Sequence, residues 1–309
     1  MKIIRQARDL KTRGRKVSLA IGVFDGVHLG HQQVLRQAIA DARQHEGFSV
    51  ALTFDRHPSS VVAPERAPAL IYSLPQKLRA IEALGVDATL LLEFTPELSR
   101  KPGEEFMREL ARDFGAIHSV CVGAEFTFGH KRGGNVEMLR ALGKELHFQA
   151  HGLAALALDG QTVSSTRIRE AVRAGNLDAA SQMLGRAYGL AGNVLQGDQI
   201  GRTLDAPTAN IDIAGLSLPP NGVYAVHAEL DDQYYRAVAN LGVRPTLSDP
   251  NPKQRFEVHL LDFNGNLYGQ EVEATFAEKL REERKFGSLE ELKAQIQLDI
   301  RAAERVFSS

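Results

Sequence analysis

The feature that most restricts the fold of this 309-residue chain is a change of rhythm near residue 185. Before it, short runs dense in Val, Ile, Leu and Phe alternate with stretches of helical period. KVSLAIGVF, SVALTF, ATLLLEF and HSVCVG are the strand candidates, and QQVLRQAIADARQ, QKLRAIEAL, GEEFMRELARDF and VEMLRALGKEL are the helices among them. In the first helix Val34, Leu35, Ala38, Ile39 and Ala42 share one face. Such alternation predicts an α/β unit, a Rossmann-like parallel sheet with helices on both faces. In sheets of that kind ligands bind beyond the carboxyl ends of the strands, where the strand order reverses.

After residue 185 only strand-like runs remain until the last helix. YGLAGNVLQGD, TANIDI, NGVYAVHAEL, YYRAVANLGV, RFEVHLLDF and QEVEATF are separated by Gly, Asn, Asp and Pro. Phe256-Glu257-Val258-His259-Leu260 alternates apolar with polar, which predicts a small antiparallel barrel. SLEELKAQIQLDIRAAERVF then closes the chain as an amphipathic helix, opened by Ser288 with Glu291 three residues on, a capping box. No repeat or low-complexity linker intervenes. The expected organisation is a first domain over 1–184 packed directly against a second over 185–309.

Bulk properties narrow the function classes. No apolar run approaches the ~20 residues that span a bilayer. The basic start, MKIIRQARDLKTRGRK, has no long apolar stretch behind it, which predicts neither a secretory signal nor a membrane partner. The single cysteine, Cys121, can form neither an internal disulfide nor a zinc cluster, and points to a reducing cytoplasm. With 37 basic against 38 acidic residues the formal charge is −1, without the basic excess of a nucleic-acid binder. Tryptophan is absent and aromatics are 6%, so no stacking platform for single strands stands out. Any anion bound here is expected to be small and locally held.

GVFDGVHLGH, residues 22–31, places two histidines where a glycine-rich turn becomes a helix. Gly22, Gly26 and Gly30 allow backbone N–H groups to approach a ligand. A helix beginning near His31 directs unpaired N–H groups and partial positive charge at an anion. His28 and His31 add side-chain donors suited to a phosphate chain. Zinc fits less well, because no nearby Cys, Asp or Glu completes a ligand set at standard spacing. The plainer alternative is that one histidine caps the helix and the other packs.

This stretch resembles the signature of the nucleotidylyltransferase superfamily. Across its whole length, moreover, the chain resembles the bacterial bifunctional riboflavin kinase/FAD synthetases. TFDRHP, VGAEFTFGHKRGGN, VSSTRIREAVRAGN, GRTLDAPTANI, NGVYAV, ANLGVRPT and FEVHLLDF carry the match by their order and spacing. The resemblance implies two ATP-dependent steps using Mg²⁺: riboflavin to FMN with ADP released, then FMN to FAD with pyrophosphate released. It makes His28 and His31 ligands of the ATP phosphates, within a nucleotide site that includes Gly22, Phe24, Asp25, Gly26 and Gly30. Ser164, Ser165, Thr166 and Arg167 would close over the same phosphates, although SSTRIREAVRAGN also reads as a capped helix with Arg169 and Arg173 facing solvent. Phe126 and Phe128 would border the flavin, or else belong to the core. Phe54 and His57, at the TFDRHP strand end, would face the same cleft. Two residues depart from the family pattern: Arg56 replaces a common proline, and Glu125, in the flavin stretch, replaces Asp or Asn.

In the second domain the acceptor that the resemblance implies is a hydroxyl, which calls for a positioned base. Glu257 is the acid inside the FEVHLLDF strand, and the resemblance makes it that base; an outward-facing strand residue is the alternative. Thr208 and Asn210 offer hard oxygen ligands of the kind Mg²⁺ takes. Gly197, Gly201 and Thr203 lie in a segment able to fold over nucleotide phosphates. Arg281, Arg284 and Phe286 fit the family stretch near the flavin, while a solvated helix entry explains the arginines equally well. Asp205-Ala206 departs from the usual GF before PTAN, and an acid there is expected to lower ATP affinity. Other readings keep one activity only, or leave a flavin-binding regulator without catalysis. A monomer or weak homo-oligomer is expected.

Overall fold

The computed structural model describes residues 1–195, 207–243 and 254–308, which divide into two compact units, Met1–Arg167 and Ile168–Ser309. Gly197, Gly201, Thr203 and the Asp205-Ala206 pair lie outside the described residues.

The first unit is built on a six-stranded sheet: β1 (Lys2–Ile4), β2 (Val17–Ile21), β3 (Phe48–Phe54), β4 (Ala88–Leu92), β5 (Ile117–Gly123) and β6 (Gln149–Leu153). Their order is β1-β4-β3-β2-β5-β6 and each pairing is parallel. The chain runs outward from β2 through β3 to β4, then returns to β2's other side for β5 and β6. The switch therefore falls at β2, and the GVFDGVHLGH loop leaves its carboxyl end.

Alternation along the strands separates two cores. Leu19, Ile21, Val50, Leu52, Val120 and Val122 join one cluster with Met107, Leu110, Phe114, Leu139 and Leu142. Ala20, Ala51 and Cys121 join the other, with Leu35, Ala38, Ile39 and Ile81. Because successive strand residues point to opposite faces, helices cover both faces, as the sequence predicts. The first cover is α5 (Gly103–Phe114) and α6 (Val136–Leu146); the second is α1 (Leu29–Gln44) and α3 (Leu74–Glu82). The smaller elements are α2 (Ser59–Val62), α4 (Pro96–Arg100) and the hairpin of β7 (Ala157–Leu158) with β8 (Gln161–Thr162).

The edge strands β1 and β6 were not legible as apolar runs. Of the three residues of β1 only Ile4 is buried, and QAHGL in β6 is only partly buried, so neither carries the pattern of a central strand.

Three histidines gather where the C-terminal end of α1 meets β5 and β6. The His45 and His118 rings lie with centroids 3.7 Å apart, and His151 Nε2 is 3.4 Å from the carboxylate of Asp41. Asp41 also takes a hydrogen bond from Gln37 and contacts the Cys121 thiol at 3.7 Å. Burial first, then repulsion from His45, His151 and Lys16, holds the His118 imidazole below its ordinary 6.5 against the pull of Asp41. The folded chain thus resists a proton that the unfolded chain accepts. The stability this group contributes is complete above pH 6.5 and is lost as pH falls through 6.5 toward the depressed folded value. Urea midpoints of the first unit are expected to drop between pH 7.5 and 5.5, and His118→Gln is expected to flatten that drop.

Helix α7 (Ser165–Arg173) and α8 (Leu177–Leu184) lead into the barrel. Arg169 corrects the sequence expectation: at 7% exposure it is buried, whereas Arg173 faces solvent. Gly185 ends α8 with φ +70°, a conformation glycine adopts without a Cβ penalty. The barrel strands are β9 (Gly189–Leu195), β10 (Ala209–Ile211), β11 (Gly222–Leu230), β12 (Gln233–Val243), β13 (Gln254–Leu260) and β14 (Glu271–Arg281). Six antiparallel pairings close the ring in the order β10-β13-β12-β11-β14-β9. Closure removes exposed sheet edges. Phe256 and Phe276 meet inside with Tyr188 and Tyr224 at centroid separations of 5.0–6.0 Å.

The terminal helix α9 (Leu289–Val306) packs on β11, β12 and β14. Ser288 caps it by accepting from the Glu291 N–H at 3.2 Å, but Glu291 reaches back to the Gly287 N–H rather than to Ser288. Among the described residues no helix is long and apolar enough to cross a membrane.

Candidate active sites

In the first unit the loop after β2 is strained and braced. Phe24 and Val27 hold φ values of +53° and +41°, which cost a non-glycine residue, and Gly26 lies at +77°. A Cβ at Gly26 would come within 2.9 Å of the Ile71 side chain. The buried Asp25 carboxylate accepts the Ile71 N–H at 2.9 Å and the Tyr72 N–H at 3.3 Å, tying this loop to the lead-in of α3.

The loop delivers His28 as the N-cap of α1, its Nδ1 accepting the His31 N–H at 3.3 Å. In the neutral ring the proton then belongs on Nε2, which makes that atom a donor. His28 and His31 stack with ring centroids 3.6 Å apart and an interplanar angle of 19°. A Cβ at Gly30 would sit 3.2 Å from the His28 ring, tight enough to press on the stacked pair. Capping and phosphate contact are therefore compatible uses of one imidazole.

A second helix start faces the same loop. Ser165 Oγ donates to the Asp25 carbonyl at 3.1 Å, and Ser164 Oγ caps α7 by accepting the Arg167 N–H at 3.3 Å. The N-termini of α1 and α7, each a source of partial positive charge, thus converge on the loop after β2. Thr166 is exposed beside them. Arg167 Nη1 donates to the carbonyls of Leu158, Gln161 and Thr162 in the β7–β8 hairpin.

The other candidates of this unit lie at neighbouring strand ends. Phe54, closing β3, meets Phe94 edge-on at 5.1 Å, and His57 Nδ1 accepts the Ser59 N–H at 3.1 Å. Asp55 accepts from Arg56 at 2.8 Å and from the Phe94 N–H at 2.9 Å. Burial pushes its carboxyl upward, but those hydrogen bonds outweigh burial and leave it below the usual range. Arg56, the residue that departs from the family pattern, thereby gains a local partner. After β5, Phe126 and Phe128 stack at 5.5 Å and pack partly against the core, while Glu125 is exposed.

Sequence reasoning passed over Lys77. It lies on α3, is 7% exposed, and directs its ammonium at the ends of β2 and β3. A lysine at a buried position of an amphipathic helix is the signal that marks it, since lysine is almost never buried without partners.

In the barrel, strand register sets the candidate base among amides. Asn210 pairs with Glu257 across β10–β13, and Asn240 pairs with Glu257 across β13–β12. All three are half-buried between fully buried neighbours, so they form one row on the same face. Asn240 is the member of this row that sequence reasoning missed. Arg255 Nη1 stands 4.0 Å from Glu257 Oε1. Thr208 is exposed beside Asn210, and the Pro207 carbonyl lies 2.8 Å from His259 Nδ1, anchoring the strand start to β13.

The arginines after β14 are held by α9. Arg281 forms a two-point bridge to the buried Asp299 at 2.9 and 2.8 Å, and Gln295 donates to the same carboxylate at 2.7 Å. Arg284 donates to Gln295 and lies over Phe286, 4.9 Å from the ring centroid. Here the side chains fasten the strand end to the helix.

Two helix N-termini converging at a sheet switch point and a barrel carrying a carboxylate among amides suit a two-part transferase of phosphorus-containing groups. The FAD synthetase family model matches residues 10–167, and the riboflavin kinase model matches 184–307. A bifunctional riboflavin kinase/FMN adenylyltransferase of Pseudomonas fluorescens is 37% identical over 303 residues, covering 98% of this chain and 97% of the relative. Enzymes of the same description from Haemophilus influenzae and Escherichia coli K12 are 36% and 34% identical, over 100% and 99% of this chain and 100% and 98% of their own. This chain belongs to the bifunctional riboflavin kinase/FMN adenylyltransferase family. A crystal structure from Streptococcus pneumoniae, described as a macrolide-efflux protein, superposes with a TM-score of 0.79 at 29% identity, covering 98% of both chains.

Proposed function

We propose that residues 185–309 phosphorylate riboflavin to FMN and that residues 1–184 adenylylate FMN to FAD, each step consuming ATP. The observation that carries this reading is the family match over both halves, joined to a separate charge-handling site in each.

In adenylyl transfer the attacking group is a phosphate oxygen that is already ionised, so positioning and charge neutralisation dominate. The His28 and His31 rings and the α1 and α7 N-termini bind and orient the phosphates. Phe54, His57, Glu125, Phe126 and Phe128 are the proposed flavin neighbours. In the kinase step Glu257 takes the proton of the riboflavin 5′-hydroxyl. Asn210 amide and Thr208 hydroxyl oxygens are hard donors that fit Mg²⁺ shared with substrate phosphates. Bound there, Mg²⁺ would neutralise phosphate charge. Arg281 and Arg284 support the flavin end through α9. The reading also implies a cytoplasmic enzyme, monomeric or weakly self-associating.

One assay tests it. With riboflavin, ATP and Mg²⁺, chromatography is expected to show FMN and then FAD, and supplied FMN is expected to give FAD directly. Product from only one flavin would reduce the reading to a single activity, and product from neither would overturn it.

A further inference from the structure

A buried ammonium lies behind the histidine loop of the first unit. Lys77 Nζ donates to the Phe54 carbonyl at 2.7 Å and lies 3.4 Å from both the Val23 carbonyl and Thr53 Oγ1. Thr53 itself donates to the Val23 carbonyl at 2.9 Å. An ammonium has three donors, and these three acceptors match them. Two of them, Val23 and Phe54, stand at the carboxyl ends of adjacent central strands, where the ligand cleft opens.

The bracing is specific. Val23 precedes Phe24, whose φ is +53°, and Asp25 follows it, held by the Ile71 and Tyr72 N–H groups. One short segment, Ile71 to Lys77, therefore grips the loop on both sides of the strained Phe24. Strain of this kind persists only where surroundings over-determine it. The Val23 carbonyl and the Phe24 N–H share a planar trans peptide, so fixing the oxygen toward Lys77 turns the N–H the opposite way. The charge matters as well, since it offsets two carbonyl dipoles whose negative ends would otherwise oppose a polyphosphate.

We propose that Lys77 is a positioning residue for adenylyl transfer, locking the loop that carries His28 and His31 and placing fixed positive charge behind it. This rests on the adenylyl-transfer reading of the first half. The charged groups acting on Lys77 are Asp25, after β2, and Asp55, after β3, the latter also paired with Arg56. Burial outweighs both carboxylates and brings the ammonium down to about 8, so it titrates in an accessible range.

The experiment compares wild type, Lys77→Met and Lys77→Arg in the full chain, assaying FAD formation from FMN and FMN formation from riboflavin. Lys77→Met is expected to lower kcat for FAD formation about 10²-fold, the loss that small misplacements of reacting groups bring. Its FMN formation is expected to stay within twofold of wild type. The wild-type rate of FAD formation is expected to decline as pH rises through about 8, and Lys77→Arg, whose guanidinium stays protonated, is expected to abolish that decline. Near-wild-type FAD formation by Lys77→Met, or the same decline in Lys77→Arg, would overturn the proposal. Should either variant fail to fold, the wild-type profile decides alone: without the alkaline decline the proposal falls. A wild-type chain that makes no FAD at any pH would instead refute the adenylyl-transfer reading itself.

Discussion

Glu257→Gln is expected to slow FMN formation by about 10²–10⁴-fold, the usual worth of a positioned general base. The acceptor of the kinase step is a neutral hydroxyl, so its proton has to leave as the new bond forms. Glutamine keeps the size and the hydrogen-bonding reach of Glu257 but cannot take that proton. The flanking row of Asn210 and Asn240 contains no second carboxylate to replace it. FAD formation from supplied FMN should be unaffected, because the residues assigned to that step come from the other half of the chain. Both rates can be read by chromatography of one variant. An unaltered FMN rate would leave Glu257 as an outward strand residue and move the base elsewhere.

His28→Asn is expected to give the mirror result, with FAD formation reduced about 10²–10³-fold, some 3–4 kcal/mol, and FMN formation intact. Asparagine is chosen because His28 caps a helix as well as carrying the proposed phosphate contact. Its Nδ1 caps α1 by accepting the His31 N–H, and asparagine is among the best N-caps. The substitution therefore preserves the helix start and removes only the ring donor proposed to meet phosphate. His28→Ala loses both, and the cap adds about 1 kcal/mol of destabilisation. Comparing their melting temperatures and rates separates the two roles. If His28→Asn turns over like the parent chain, the histidine is a cap and no more.

Periodicity carried the architecture because both halves bury their elements in the regular way. The central strands β2, β3, β4 and β5 are rich in apolar residues and buried along nearly their whole length, as strands covered on both faces must be. The barrel strand β13 alternates, as a strand buried on one face must. Where a strand is short and half-exposed, as in β1 and β6, the pattern thins and the strand is found only by its pairing. The site divides in the same manner. His28, Glu257 and Asn210 sit in compact motifs, whereas Asn240 enters its row through strand register and Lys77 through a contact between segments 54 positions apart. Arg167 and Arg281 illustrate a further limit. Their sequence neighbourhoods suggest ligand contact, and the structure adds partners that the local sequence does not name: β7–β8 carbonyls for Arg167 Nη1 and Asp299 for Arg281. A long side chain chooses among all partners within reach, and its own local sequence names few of them.

Cys121 has a practical consequence. It is the sole sulfhydryl of the chain, completely buried in the central strand β5, and burial followed by the charge of Asp41 pushes its thiol far above the ordinary range. Nucleophilic attack needs the thiolate and access, and this residue offers neither. The native protein should therefore be silent toward maleimides and iodoacetamides. A cysteine placed by mutation on either half becomes a unique handle, so that fluorescent or spin labels can report on each half in turn without first stripping the chain of its own thiol.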